Sequence, residues 1–279
     1  YMPKVGSKGL EMMADTCTVQ VNLDYSSEED MRRKLRTSFI LQPIVTALFS
    51  SSPIENRKIS KFISRRAAIW FNVDQDRCGI PKFIFKNNLG FEDWVDYALK
   101  VPMYFVRRNG KYINCAGDSF EKFMDGKLDQ LPNERPTLLD WEDHLSTIFT
   151  EIRLKKFIEF RGADTGPWAS LCALPALWVG LLYDDEALNE AESLASSWTP
   201  EMYNKAYSEV PIKGMDLIIN NNSIKDYAKE LIKISKMGLK NRKRLDSSGN
   251  DETGYLNQLE EIAYSGKNQA AEMLYIWNN

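Results

Sequence analysis

A chain of 279 residues with 43% hydrophobic and 27% charged residues has the composition of a folded globular protein, and it can bury a sizeable core in one large domain or two ordinary ones. Its 36 basic and 39 acidic residues nearly cancel, to a formal net charge of −3, which gives no general drive toward nucleic acid or an anionic membrane. Four widely spaced cysteines, Cys17, Cys78, Cys115 and Cys172, form no C-x-x-C pair, so a zinc ribbon or thioredoxin-like motif has no support and free thiols in a reducing, cytoplasmic setting are expected.

The first element lies in residues 17–25, CTVQVNLDY, where strict alternation predicts a strand. Cys17, Val19, Val21 and Leu23 fall on one face, and Thr18, Gln20, Asn22 and Asp24 on the other. Neutral amides are unusual on a strand. The polar face is either an ordinary wet surface or the wall of a polar cavity.

A helix follows. Ser26 and Glu29 fit a capping box, and Met31, Leu35, Ile40, Leu41, Ile44, Val45 and Leu48 recur at helical spacing. Pro43 is expected to kink or divide this helix, and SSS with Pro53 to end it. Residues 62–83 join a short apolar segment to an acidic loop punctuated by Gly and Pro, and residues 91–101 read as a helix. Residues 102–115 read as a hairpin turning at Asn109-Gly110. Short helices are expected in residues 119–128 and 137–149.

Residues 153–168 read as one strand ending in a Gly-bearing turn. The apolar stretch 171–183 is too short for a membrane span and reads as a buried helix. Thr199 as a cap with Pro200 at the first position starts a further helix. From about Ser223 the chain is helical and more polar, apart from the loop DSSGNDETG. The basic run of residues 236–244 reads as a solvated helix end. Strands early and helices late make the class α+β.

Familiar catalytic motifs are missing: there is no Walker loop, no dinucleotide-binding glycine pattern, no nucleophile elbow and no H-E-x-x-H. The single histidine, His144, sits on a predicted helix, where a local structural partner is the simpler role. Carboxylates, amides and arginines remain. In KFIEFRGAD, Phe157, Glu159 and Arg161 share a strand face. Glu159 and Arg161 then lie roughly 7 Å apart, too far for an intimate salt bridge but suited to gripping two parts of one ligand. A carboxylate suits Mg²⁺ and a guanidinium forks onto phosphate oxygens. A surface ion pair on a wet strand is the plainer alternative.

Gln20 and Asn22 could face the same cavity as Glu159 and Arg161, with Arg66, Trp70, Asp74, Asp76 and Arg77 adding to it. A cleft rich in arginine and carboxylate, without histidine, suits an anionic substrate with a magnesium nucleotide.

The order of several stretches resembles one family, the plant and alphaproteobacterial type of glutamate–cysteine ligase. These stretches are YMPKVG, TCTVQVNLDYSSE, LQPIVTALF, DYALKVPMYFV, GKYI, DWEDHLSTIF, EIRLKKFIEFRGAD, GPWASLCALPALWVGLLYD and WTPE. The resemblance implies a glutamine synthetase-like catalytic domain, a curved antiparallel sheet backed by helices. It implies one such domain over residues 1–279, lacking its N-terminal portion, with a helical C-terminal part from about residue 199.

The implied reaction phosphorylates the γ-carboxylate of glutamate with ATP and lets the amine of cysteine displace the phosphate, the first step of glutathione synthesis. Glutamate, cysteine, ATP and Mg²⁺ are the implied partners, with no nucleic acid and no membrane, and with a homodimer as one assembly state open to it. Glu159 matches the family's position for Mg²⁺, and Arg161 the position that meets the transferring phosphate. Gln20 and Asn22 match nucleotide or substrate contacts, Arg66 a holder of the glutamate carboxylate, and Trp70 and Arg77 a neighbouring motif.

The chain departs from the family pattern at Ala67 and Ala68, at Asn72, at Ser51 and at Ala169-Ser170. Cys115 matches one half of a family disulfide, but Gln130 stands at the partner position, so Cys115 is expected to be a free thiol. A related ligase using another amine, and a non-catalytic nucleotide-binding remnant, stay open as alternatives.

Overall fold

The structure is a computed structural model that describes residues 1–86 and 88–279. In chain order its principal elements are β1 (Val21–Leu23), α1 (Glu28–Leu48), α2 (Arg65–Trp70), α3 (Phe91–Lys100), the hairpin β2 (Phe105–Arg108) and β3 (Lys111–Asn114), and α4 (Leu138–Ser146). Then come β4 (Ile152–Leu154), β5 (Ile158–Phe160), α5 (Trp168–Leu182), α6 (Asp185–Ser196), α7 (Pro200–Lys213) and α8 (Ile224–Asn241). The mixture of small antiparallel sheets and packed helices is α+β, as the order of elements predicts.

The element that matters most is an antiparallel sheet in the order β1-β5-β4. Its register pairs Val21, Asn22 and Leu23 with Phe160, Glu159 and Ile158, and pairs Ile152, Arg153 and Leu154 with the same three residues from the other side. The pleat therefore sends Val21, Leu23, Ile152, Leu154, Ile158 and Phe160 to one face, where all are buried, and Asn22, Arg153 and Glu159 to the other. Val21 lies in the core and Val19 packs against it, so the phase read from the alternation holds. The strand itself covers Val21–Leu23 rather than residues 17–25; further back, Thr18 Oγ1 donates to the carbonyls of Arg161 and Ala163.

Residues 153–168 do not form one strand. They open with the end of β4 and turn through residues 155–157, where Lys155 N donates to Phe157 O at 2.8 Å, into β5. The turn contains no Gly, Pro or Asn, which is why the sequence conceals it.

The apolar face of the sheet rests on α1 and α5, with Phe160 and Trp178 ring centroids 4.4 Å apart. α1 is one unbroken helix of 21 residues. Its cap is Ser27, whose Oγ accepts from Asp30 N at 3.1 Å, rather than Ser26. Pro43 costs one helical hydrogen bond but does not divide the helix, because residues 37–48 are buried against the sheet, α6, α7 and α8. α5 is the expected buried helix and packs closely on α8: a Cβ on Gly180 or Gly238 would overlap the facing backbone, and Ser235 Oγ donates to Leu177 O at 2.9 Å. Among the described residues no helix is long and apolar enough to cross a membrane.

The locally signalled elements form as read. Asn109 and Gly110 both take positive φ, 52° and 74°, in the β2–β3 turn, and Thr199 caps α7 with Pro200 at its first position.

Candidate functional site

The polar face of the sheet is built around Glu159, which is 5% exposed. Its Oε2 accepts from Arg153 Nε at 2.7 Å and Nη2 at 2.6 Å and from Arg161 Nη1 at 3.2 Å, while Lys155 Nζ stands 3.8 Å from Oε1. The expected separation of Glu159 and Arg161 is thus overturned. The roughly 7 Å repeat is measured along the backbone, and a long arginine stem folds back across it. Arg153 also donates through Nη1 to the carbonyls of Ser146 and Ile148, which ties the cluster to the end of α4. Burial, reinforced by Arg161, pushes the Arg153 guanidinium down to about 10, and burial also lowers Lys155.

Asn22 is paired directly across from Glu159 and is solvent-exposed; Gln20, also exposed, precedes the ladder. The donor set around Glu159 does not fit a magnesium ion by itself. One carboxylate oxygen is engaged by two arginines and the other faces a lysine. Among the described residues no group of three or more His, Cys, Asp and Glu side chains is placed to hold a metal. Magnesium prefers an octahedral oxygen shell. The place expected for Glu159 as its ligand is, among these residues, a carboxylate anchoring cations.

Beside this cluster lies Arg66, in the first turn of α2 and 6% exposed. Its Nη2 donates to the backbone carbonyl of Arg161 at 2.5 Å, and its guanidinium lies 5.9 Å from the Trp70 ring centroid. Arg161 lies 5.7 Å from the Phe149 ring centroid, and the Trp70 and Phe149 rings are 6.0 Å apart. Among the described residues, three N–H donors in this group are buried without a hydrogen-bond partner: Arg66 Nη1, Arg161 Nε and Trp70 Nε1. An unpartnered buried donor costs about 1–3 kcal/mol, and native structures leave few of them. Donors without acceptors, two of them on guanidinia, are chemically suited to carboxylate or phosphate oxygens.

Two buried carboxylates face Arg66 from behind. Burial raises both Glu151 and Asp164 above the usual carboxylate range, against the pull of Arg66, and burial in turn lowers Arg66. Tyr207 Oη donates to Glu151 Oε1 at 3.5 Å. Asp164 Oδ2 accepts from Ser51 N at 3.0 Å and Ser52 Oγ at 2.7 Å, and its Oδ1 accepts from Ser64 Oγ at 2.8 Å.

The structure does not bring Arg77 to this group. It is fully buried as a clamp: Nε donates to Asp74 Oδ2 at 2.7 Å, Nη1 to the carbonyl and Oγ1 of Thr147 at 3.1 Å each, and Nη2 to Pro102 O at 2.6 Å. Its guanidinium stacks 3.7 Å from the Tyr104 ring centroid. His144 has the structural role expected of it, with Nε2 on Ala98 O at 2.8 Å and its ring stacked on Phe120. Glu151, Arg153, Asp164 and Phe149 escape the sequence reading. Arg153 was within reach, since a hairpin centred on residue 156 sets it opposite Glu159.

The α+β scaffold thus gathers arginines and unpartnered donors at and beside one sheet face. The chain belongs to the family described as glutamate-cysteine ligase family 2 (GCS2), whose model matches residues 1–278. It is 50% identical over 277 residues to glutamate--cysteine ligase B, chloroplastic, of Oryza sativa subsp. japonica, covering 99% of this chain and 55% of the rice protein. It is 50% identical over 278 residues to glutamate--cysteine ligase, chloroplastic, of Brassica juncea, covering 100% of this chain and 53% of that protein. It is 49% identical over 278 residues to the Arabidopsis thaliana protein of the same name, covering 100% and 52%. The chain thus spans about half the length of the curated relatives it matches. The expectation of a cytoplasmic setting is overturned by these names, all chloroplastic. Sparse cysteines report on redox conditions and do not say which reducing compartment supplies them.

Proposed function

We propose that the polar face of β1, β5 and β4, with Arg66 and Trp70 beside it, is part of the active site of an ATP-dependent ligase that joins the γ-carboxylate of L-glutamate to the amine of L-cysteine. The observation that carries this reading is that three neighbouring residues, Arg66, Arg161 and Trp70, each hold a buried donor without an acceptor: Nη1, Nε and Nε1. A phosphoryl group passes from ATP to the glutamate carboxylate, leaving ADP. The cysteine amine then attacks the acyl carbon, forms the amide, loses a proton and expels phosphate. Such chemistry asks the protein mainly to position groups and neutralise developing charge.

In this reading Arg66 receives a carboxylate of glutamate. Arg161, its Nη1 fixed on Glu159, turns its Nε toward the transferring phosphate. Gln20 and Asn22 contact nucleotide or substrate from the open edge. Magnesium would shield the phosphate charge when bound, yet Glu159 offers it only Oε1, and the described residues supply no completed site.

The test is ADP release by the native full-length protein, with γ-glutamylcysteine followed by mass spectrometry. Release that requires both amino acids is expected. Release that ignores cysteine, or that another amine supports better, would overturn the substrate assignment.

A further inference from the structure

Asp164 is 3% exposed and lies four residues after β5, where the chain leaves the sheet. Each of its oxygens takes a serine proton: Ser52 Oγ donates to Oδ2 at 2.7 Å and Ser64 Oγ to Oδ1 at 2.8 Å. A hydroxyl has one proton and two lone pairs. With both protons committed to the carboxylate, both serines are left as acceptors, and both accept from the first turn of α2. Ser52 Oγ receives Arg66 N at 3.1 Å and Ser64 Oγ receives Ala67 N at 3.2 Å. These are N–H groups that a helix start cannot satisfy internally.

The same carboxylate reaches the end of α1. Ser51 N donates to Oδ2 at 3.0 Å, and Ser51 Oγ returns to Thr165 O at 2.5 Å. Ser52 pairs with Ser64 as a parallel bridge, and Arg65 N donates to Ser52 O at 3.1 Å. One buried carboxylate therefore joins the end of α1, the start of α2 and the exit from β5. Those three segments set where Arg66 stands relative to Arg161.

We propose that Asp164 is the positioning residue of this site: through Ser52 and Ser64 it fixes the first turn of α2, so that Arg66 keeps Nη2 on the Arg161 carbonyl and presents Nη1 to a substrate carboxylate. The ligand half of this proposal rests on the function proposed above; the positioning half does not. Asp164→Asn tests both. Asparagine offers an acceptor to one serine and an N–H to the other, so that second hydroxyl loses the acceptor that fixed its proton and must share its two lone pairs between the amide and the helix N–H. Ser52→Ala removes only the relay to Arg66.

The readouts, in the full-length protein, are the Arg66 guanidinium resonances by ¹⁵N NMR without substrate, and the Kd for L-glutamate by calorimetry. In Asp164→Asn the Arg66 resonances should move and the glutamate Kd should rise about tenfold, the effect of misplacing one charge-assisted hydrogen bond. Ser52→Ala should move both in the same direction by less. Should Asp164→Asn fail to fold, Ser52→Ala decides alone. Unchanged Arg66 resonances in a folded variant would overturn the positioning role. Resonances that move while the glutamate Kd stays fixed would uphold the positioning and overturn the substrate assignment of Arg66 instead.

Discussion

Arg66 and Arg161 are joined through the backbone: the guanidinium of the first donates to the main-chain carbonyl of the second at 2.5 Å. Two cations thus stand side by side, and among the described residues each keeps a buried donor unpartnered. Repulsion between them is reduced by Glu159 on the sheet, which Arg161 meets directly, and by the charge of Asp164 near Arg66. An anion bound between them would complete the set. Arg66→Ala should therefore weaken L-glutamate binding by about tenfold or more, since a charge-assisted hydrogen bond contributes about 1.5–3 kcal/mol. Calorimetric titration checks it, and an unchanged Kd would remove Arg66 from the substrate site.

Arg161→Lys keeps the charge and loses the fork. A lysine ammonium can still approach Glu159, but it cannot also present a second N–H in the guanidinium plane. Turnover should fall by about 10² or more, as for the loss of one oriented transition-state donor. The variant should remain folded, because Arg161 meets Glu159 on the polar face of the sheet rather than in the apolar core. Steady-state kinetics beside a circular dichroism spectrum separate the two effects. Wild-type turnover would remove Arg161 from the phosphate site.

What was legible in the sequence was what local chemistry dictates. The alternation around Val21 and Leu23 put the right side chains in the core, Asn109-Gly110 turned the chain, and Thr199-Pro200 opened a helix. The turn at residues 155–157 was hidden because no residue in it demands an unusual backbone, and with it went Arg153, the strongest partner of Glu159. Arg77 carries the same guanidinium as Arg66. Only tertiary packing decides that one is satisfied by Asp74, Thr147 and Pro102 while the other keeps a donor free.

Glu159→Gln should reveal how much of this cluster is structural. The side chains of Arg153 and Glu159 are 8% and 7% exposed. Glutamine keeps the shape but leaves Arg153 and Arg161 without their shared counter-charge. Removing one partner of a buried ion pair costs about 3–5 kcal/mol, and the retained amide oxygen should hold the loss near the lower end, about 3 kcal/mol. Urea denaturation measures it. A loss under about 1 kcal/mol, the range of exposed pairs, would show that solvent reaches the cluster.

Glu151→Gln should act in the opposite direction and with a definite pH dependence. Burial holds the Glu151 carboxyl above its ordinary value of 4.5, although Arg66 and Arg161 pull it down. A carboxyl whose folded-state value is raised takes up its proton more readily in the native state than in the unfolded chain. Its stabilising contribution is complete below the ordinary value and is lost as pH rises through the raised one. Glutamine mimics the protonated form at every pH, and its size matters here, because Glu151 Oε2 and Gln42 Nε2 already fill the space a Cβ on Gly162 would need. Wild type and Glu151→Gln should therefore have similar urea midpoints at about pH 4, and the variant should be the more stable at about pH 8. A variant less stable than wild type at the higher pH would mean that the charged carboxylate is held by Arg66 and Arg161 more strongly than burial penalises it. The balance of the site would then run through Glu151 as a counter-ion.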